Sequence, residues 1–207
     1  MKSTLKNMIL SLGTLVIVSG AILAGVKLLT EKPIEEAGRR ARTEAFKDVL
    51  GEFDNNPADE AVTLGDGTTV YPASKGGESA GCAVEITAHQ GFGGPFRLMV
   101  GFDRSGAVTG YTVLQHAETP GLGAKMDKWF SDAARPSRNI IGRRPEGGDG
   151  STGASKAPAE GHKAGTLRVS KDGGEIDAIT GATITSRAFL DAVNRAAESY
   201  KLMETEK

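Results

Sequence analysis

Asp177-Ala178-Ile179-Thr180-Gly181-Ala182-Thr183 sets hydroxyls and a glycine directly ahead of a helical pattern, a combination suited to phosphate. The first N–H groups of a helix have no intrahelical partner and its dipole is positive there, so an anionic phosphoryl group is stabilised. Gly181 lets the backbone come close to such a group. Thr183 stands at the end of the string, with Thr180, Thr185 and Ser186 as neighbouring hydroxyls. Small-residue turns before helices are common caps too, so the residue types alone leave a cap and a phosphate site both open. A second stretch, His116-Ala117-Glu118-Thr119-Pro120-Gly121-Leu122-Gly123, carries a Pro-Gly turn signal. By itself it reads as a connector between a strand and a helix.

These two stretches need a scaffold, and the chain offers one. Ile34 to Leu50 has helical character, with Ile34, Ala37, Ala41, Ala45, Val49 and Leu50 near one face. Asp54-Asn55-Asn56-Pro57 breaks it, and the glycine-rich region through Gly81 predicts short strands and turns. Ala83 to Ala88 reads as a strand. Phe96, Leu98, Val100 and Phe102 alternate with Arg97, Met99, Gly101 and Asp103, and the turn Asp103-Arg104-Ser105-Gly106 leads to an extended run through Leu114. That pattern predicts a hairpin with one apolar face. Met126, Trp129 and Phe130 mark a helical segment after the Pro-Gly loop, and Leu167 to Ser170 reads as a strand before the turn Lys171-Asp172-Gly173-Gly174. Phe189, Val193, Ala196, Ala197 and Tyr200 recur at helical spacing and predict a final helix packed on the sheet.

The front of the chain is different. Asn7 to Val26 is twenty residues without a formal charge, matching the ~20 a helix needs to cross the hydrocarbon core. Lys2 and Lys6 before it also fit a signal peptide, but the apolar run exceeds the ~7–15 residues of a typical signal core. An uncleaved anchor is the preferred reading. Lys27, Lys32, Arg39, Arg40 and Arg42 outnumber the two lysines ahead of the span, so charge alone leans toward a domain on the inner side.

The 207 residues carry a net charge of −1 and three histidines, leaving no basic stripe for nucleic acid and no metal cluster. The single cysteine, Cys82, excludes an intramolecular disulfide and any site built from several cysteines; its strand-like setting predicts a buried small hydrophobe. Arg144 to Gly165 is rich in Gly, Ser, Ala, Pro and charge and reads as a flexible insertion of low complexity. Its glycines lack the Gly-Lys-Ser/Thr ending of a nucleotide-binding loop.

The Asp177 to Thr183 string resembles, at every specified position, the flavinylation motif Asp-x-x-Ser/Thr-Gly-Ala-Ser/Thr of the FMN-binding domain family. Glu118-Thr119-Pro120-Gly121-Leu122-Gly123 is similar to the loop lying against the flavin in the G subunits of Rnf (Rsx) electron-transport complexes. The resemblance covers nearly the whole chain apart from the insertion. It implies an α+β fold, with an N-terminal transmembrane helix followed by an FMN-binding domain of antiparallel sheet and packed helices. The expected divisions are a tail at 1–6, the transmembrane helix at 7–29, a stalk helix at 30–50 and the FMN-binding domain at 51–207, with the insertion at about 144–165.

The resemblance also implies FMN joined through its phosphate to Thr183 by a separate flavin transferase that uses FAD as donor with Mg²⁺. Gly181 and Ala182 would keep the acceptor's surroundings small, and Thr180 and Thr185 would hydrogen-bond phosphate oxygens. Asp177 would position metal or transferase during modification, or serve as a turn carboxylate. Glu118, Thr119, Gly121, Leu122 and Gly123 would surround the flavin, with Leu122 as an apolar contact to the ring. The implied function is electron relay within a membrane complex that couples ferredoxin/NAD electron transfer to ion translocation, the other Rnf subunits being partners. No catalytic residue and no resident metal are expected in the chain, and it would not bind NADH itself. The implied location is a single pass of the inner membrane with the domain on the periplasmic side, against the charge pattern. The C subunit of the Na⁺-translocating NADH:quinone reductase shares the acceptor motif, and an unmodified tethered binding module is the other alternative.

Overall fold

The structure, a computed structural model, describes residues 5–145 and 166–205. Most of the predicted insertion, residues 146–165, and part of the predicted N-terminal tail lie outside the described residues. The chain divides into two compact units, Met1–Thr43 and Glu44–Lys207. In the first, helix α1 (Leu5–Val49) begins, and its apolar side chains, among them Leu10, Leu15, Ile17 and Leu23, are exposed. It is long and apolar enough to cross a membrane. Helical structure continues through Pro33 to Val49 as one element.

In the second unit five strands form an antiparallel sheet in chain order: β1 (Val62–Thr63), β2 (Thr69–Lys75), β3 (Glu78–Ala88), β4 (Phe96–Phe102) and β5 (Val108–Gln115). The alternation of β4 works as the sequence predicts. Phe96, Leu98, Val100 and Phe102 pack with Val84, Ile86 and α3 (Thr183–Thr205) in the main core. The other face differs from the expected single apolar face, because Ala45, Phe46 and Val49 in the last turns of α1 bury Met99, Ala83 and Tyr71 in a second core. Gly101 on that face reflects the contact: a Cβ there would run into the carbonyl of Val49 and the Thr109 hydroxyl. Cys82 is buried in the main core.

The expected strand before the Lys171 turn is reduced to one bridge between Val169 and Ile176, followed by a 3-10 turn at Ser170–Asp172. Too few backbone groups pair there to build a strand. Helix α3 buries the predicted Phe189, Val193, Ala196, Ala197 and Tyr200, each large apolar side chain contributing ~1.5–3 kcal/mol. Phe189 stacks on Phe130 at 4.4 Å between ring centroids. Tyr200 is a core residue, stacked on Phe102 at 5.6 Å with its hydroxyl donating to the Arg104 carbonyl.

The short helix α2 (Met126–Trp129), preceded by a 3-10 turn at Gly123–Lys125, is fixed by Tyr111 of β5. The Tyr111 hydroxyl donates to the Met126 carbonyl at 2.7 Å and accepts from the Phe130 N–H at 3.0 Å. Burial is the main cause that pushes its pKa up to about 12. The Glu118 to Gly123 loop is therefore held between a strand end and an anchored helix.

Candidate functional site

The site is built at the N-terminus of α3. Ile179–Ala182 forms a β-turn closed by the Ala182 N–H on the Ile179 carbonyl at 2.9 Å, with Gly181 at φ 80°. That left-handed position is where a turn of this kind calls for glycine. The helix then begins at Thr183, as the motif predicts.

The neighbouring hydroxyls are sorted by their surroundings. Ser186 is fully buried; its hydroxyl accepts from the Ile179 N–H at 2.9 Å and donates to the Ala182 carbonyl at 2.9 Å, clamping the turn to the helix. Thr185 is fully buried as well, and its hydroxyl has no partner among the described residues. Thr180 is exposed and Thr183 is half-buried at the opening. Thr183 thus combines the helix entrance with an accessible oxygen.

Lys171, which sequence reasoning placed only in a turn, brings its Nζ within 3.5 Å of the Thr183 hydroxyl oxygen. The next residue, Asp172, accepts two hydrogen bonds of 2.7 Å from Arg187 on the first turns of α3. Arg187 is the main cause holding the Asp172 carboxyl below its usual range. The turn carrying Lys171 is tied to the helix that carries Thr183.

Asp177 has a defined structural place. Its backbone N–H donates to the Ser137 carbonyl at 2.6 Å, its carboxylate accepts from the Ser137 hydroxyl at 2.7 Å, and its carbonyl accepts from Trp129 Nε1 at 2.8 Å. The Arg138 guanidinium lies 3.7 Å above the Trp129 ring, a cation–π contact. These contacts of Asp177 join the motif to α2 and the 3-10 turn Pro136–Arg138.

The second predicted stretch lies beside the first. Leu122 is exposed, and a Cβ added to Gly181 would meet its Cδ2 at 3.1 Å. Gly121 takes φ 76°, and the Leu122 N–H donates to the Thr119 carbonyl at 3.1 Å, closing the turn. Thr119 and Gly121 are exposed, whereas Gly123 is buried against the Glu118 carboxylate. Glu118 itself is buried and accepts from the Gly93 N–H at 3.1 Å. Its observed contacts staple the Glu118 to Gly123 loop to the turn Gly91–Gly94, a partner that sequence reasoning missed. The cluster of glycines around Glu118 was the available signal, since a Cβ on Gly91 would sit 2.8 Å from Glu118 Oε1.

These groups suit a phosphate-bearing ligand: a half-buried hydroxyl at a helix N-terminus, a glycine that opens the backbone, an ammonium alongside and an enclosed hydroxyl awaiting a partner. The exposed Leu122 adds apolar surface next to them. The domain that carries them follows a helix long and apolar enough to cross a membrane. The sequence profile of the FMN-binding domain matches residues 91–198, which contain both stretches.

Similarity to whole relatives extends further. The G subunit of the ion-translocating oxidoreductase complex of Shewanella piezotolerans is 32% identical over 205 residues, covering 94% of this chain and 88% of the relative. The same-named protein of Haemophilus influenzae is 33% identical over 193 residues, covering 90% and 85%. That of Aliivibrio fischeri is 40% identical over 137 residues, covering 66% and 57%. The chain belongs to the FMN-binding domain family, in the group of ion-translocating oxidoreductase complex G subunits.

Proposed function

We propose that the chain is the membrane-anchored flavoprotein component of an Rnf-type complex and relays electrons through FMN bound covalently to Thr183. The observation that carries this reading is the accessible Thr183 hydroxyl at the start of α3, with Ser186 and Thr185 buried behind it. FMN supplies the redox chemistry, accepting and donating electrons, while the protein supplies attachment, orientation and electrostatics.

During maturation the Thr183 oxygen attacks the FMN phosphorus of FAD on a flavin transferase. The new O–P bond forms as the pyrophosphate bond to AMP breaks. AMP leaves with the bonding electrons, the hydroxyl proton passes to a base of the transferase, and Mg²⁺ neutralises the phosphate charge. In the product, Gly181 would give the phosphate close backbone approach and the first N–H groups of α3 would be available to hold it. Thr180 and the enclosed Thr185 hydroxyl would serve as further donors, and Leu122 would supply an apolar contact to the flavin. A tethered flavin does not diffuse away outside the membrane, which fits a periplasmic domain on a single inner-membrane span. The other subunits of the complex are the partners that exchange electrons with it.

Thr183→Ala in cells possessing the transferase tests the site. Loss of the fluorescent flavin band from the denatured chain is expected, with Thr183→Ser keeping it. A band of undiminished intensity in Thr183→Ala would falsify the assignment of the acceptor.

A further inference from the structure

Resting on the reading of Thr183 as acceptor, we propose that Lys171 is the charge partner of the flavin phosphate, a binding residue that positions the phosphoryl group at Thr183 and then neutralises the finished phosphodiester. The ammonium is already 3.5 Å from the oxygen that becomes esterified. Phosphorus is one bond beyond that oxygen and its free oxygens are two bonds beyond, so a cation in reach of the hydroxyl is in reach of them. A phosphodiester keeps one negative charge, and a lysine ammonium matches it as a point charge with three donors.

The position of Lys171 is built into the fold. The 3-10 turn Ser170–Asp172 is closed by the Asp172 N–H on the Val169 carbonyl at 2.9 Å, and Gly173 follows at φ 79°. Asp172 is held on both carboxylate oxygens by Arg187, one turn beyond Thr183 along α3. This pair fixes the backbone next to the lysine and satisfies the adjacent carboxylate with a guanidinium, while the Lys171 ammonium reaches Thr183. The helix N-terminus and the ammonium then act on the phosphate from two directions, one through backbone N–H groups and one through a mobile full charge.

The test uses the full chain in detergent with flavin transferase, FAD and Mg²⁺, and follows the FMN mass increment over time in wild type, Lys171→Met, Lys171→Gln and Lys171→Arg. Lys171 is exposed, so all four are expected to melt alike before modification. The expected result is modification about 3–5-fold slower in Lys171→Met and Lys171→Gln, as for the loss of one partly solvated ion pair, with recovery in Lys171→Arg. The slowing should shrink in high salt. A second readout is independent of the transferase: after complete modification, attachment of FMN should raise the melting temperature less in Lys171→Met than in wild type. Equal rates and equal melting increments in wild type and Lys171→Met overturn the role of Lys171 while leaving Thr183 as acceptor. A wild-type chain that gains no FMN mass overturns both.

Discussion

Four hydroxyls crowd the start of α3, and their surroundings separate them. Ser186 uses its oxygen twice within the turn, Thr185 is fully buried with no partner among the described residues, Thr180 is exposed on the turn, and Thr183 opens at the helix entrance. Burial and hydrogen bonding thus set Thr185 and Ser186 apart from the two accessible hydroxyls, Thr180 and Thr183. Glu118 works by the same logic in reverse, since a buried carboxylate keeps its place through the Gly93 N–H and the close approach of Gly91 and Gly123. Glu118→Ala leaves that N–H unpaired and is expected to cost about 1–3 kcal/mol, read as a lower denaturation midpoint. Glu118→Gln, which keeps a carbonyl oxygen to accept the bond, is expected to lose clearly less. Equal midpoints for Glu118→Ala and wild type would show that the staple contributes nothing.

Elements are joined here by pairs distant in sequence, and the pair Asp172–Arg187 tying the Lys171 turn to α3 is among the more exposed of them. Because Arg187 lowers the folded Asp172 pKa, its stabilisation is present above the unfolded value of about 3.9 and is lost as pH falls through the lower folded value. Wild type is therefore expected to lose melting temperature on acidification below about pH 4 more steeply than Arg187→Gln; parallel acid limbs would contradict the clamp. Contiguous signals were legible before the structure: the seven-residue motif, the Glu118 to Gly123 loop, the alternation of β4 and the apolar face of α3. What stayed hidden were contacts across the chain. Lys171 meets Thr183 twelve residues on, Glu118 meets Gly93 25 residues back, and Asp177 meets Ser137 40 residues back. No local period encodes such pairs. The second core escaped for a related reason: Met99 and Gly101 read as the outward positions of a half-buried strand until the last turns of α1 cover them.

At the scale of the whole molecule, one unit supplies a long apolar helix and the other a flavin-binding fold, and their sequence similarity to G subunits covers nearly all of both. The basic residues after the apolar run favour an inner domain, whereas the proposed function places that domain outside. Alkaline phosphatase, active only in the periplasm, fused after Lys207 decides between them. High phosphatase activity is expected, and an inactive fusion of normal abundance would return the domain to the cytoplasmic side. Intact mass with peptide mapping of the native chain, made alongside its transferase, reads the covalent flavin itself. One FMN phosphodiester increment located on Thr183 is the predicted result; an unmodified mass, or an increment located on another residue, would contradict it.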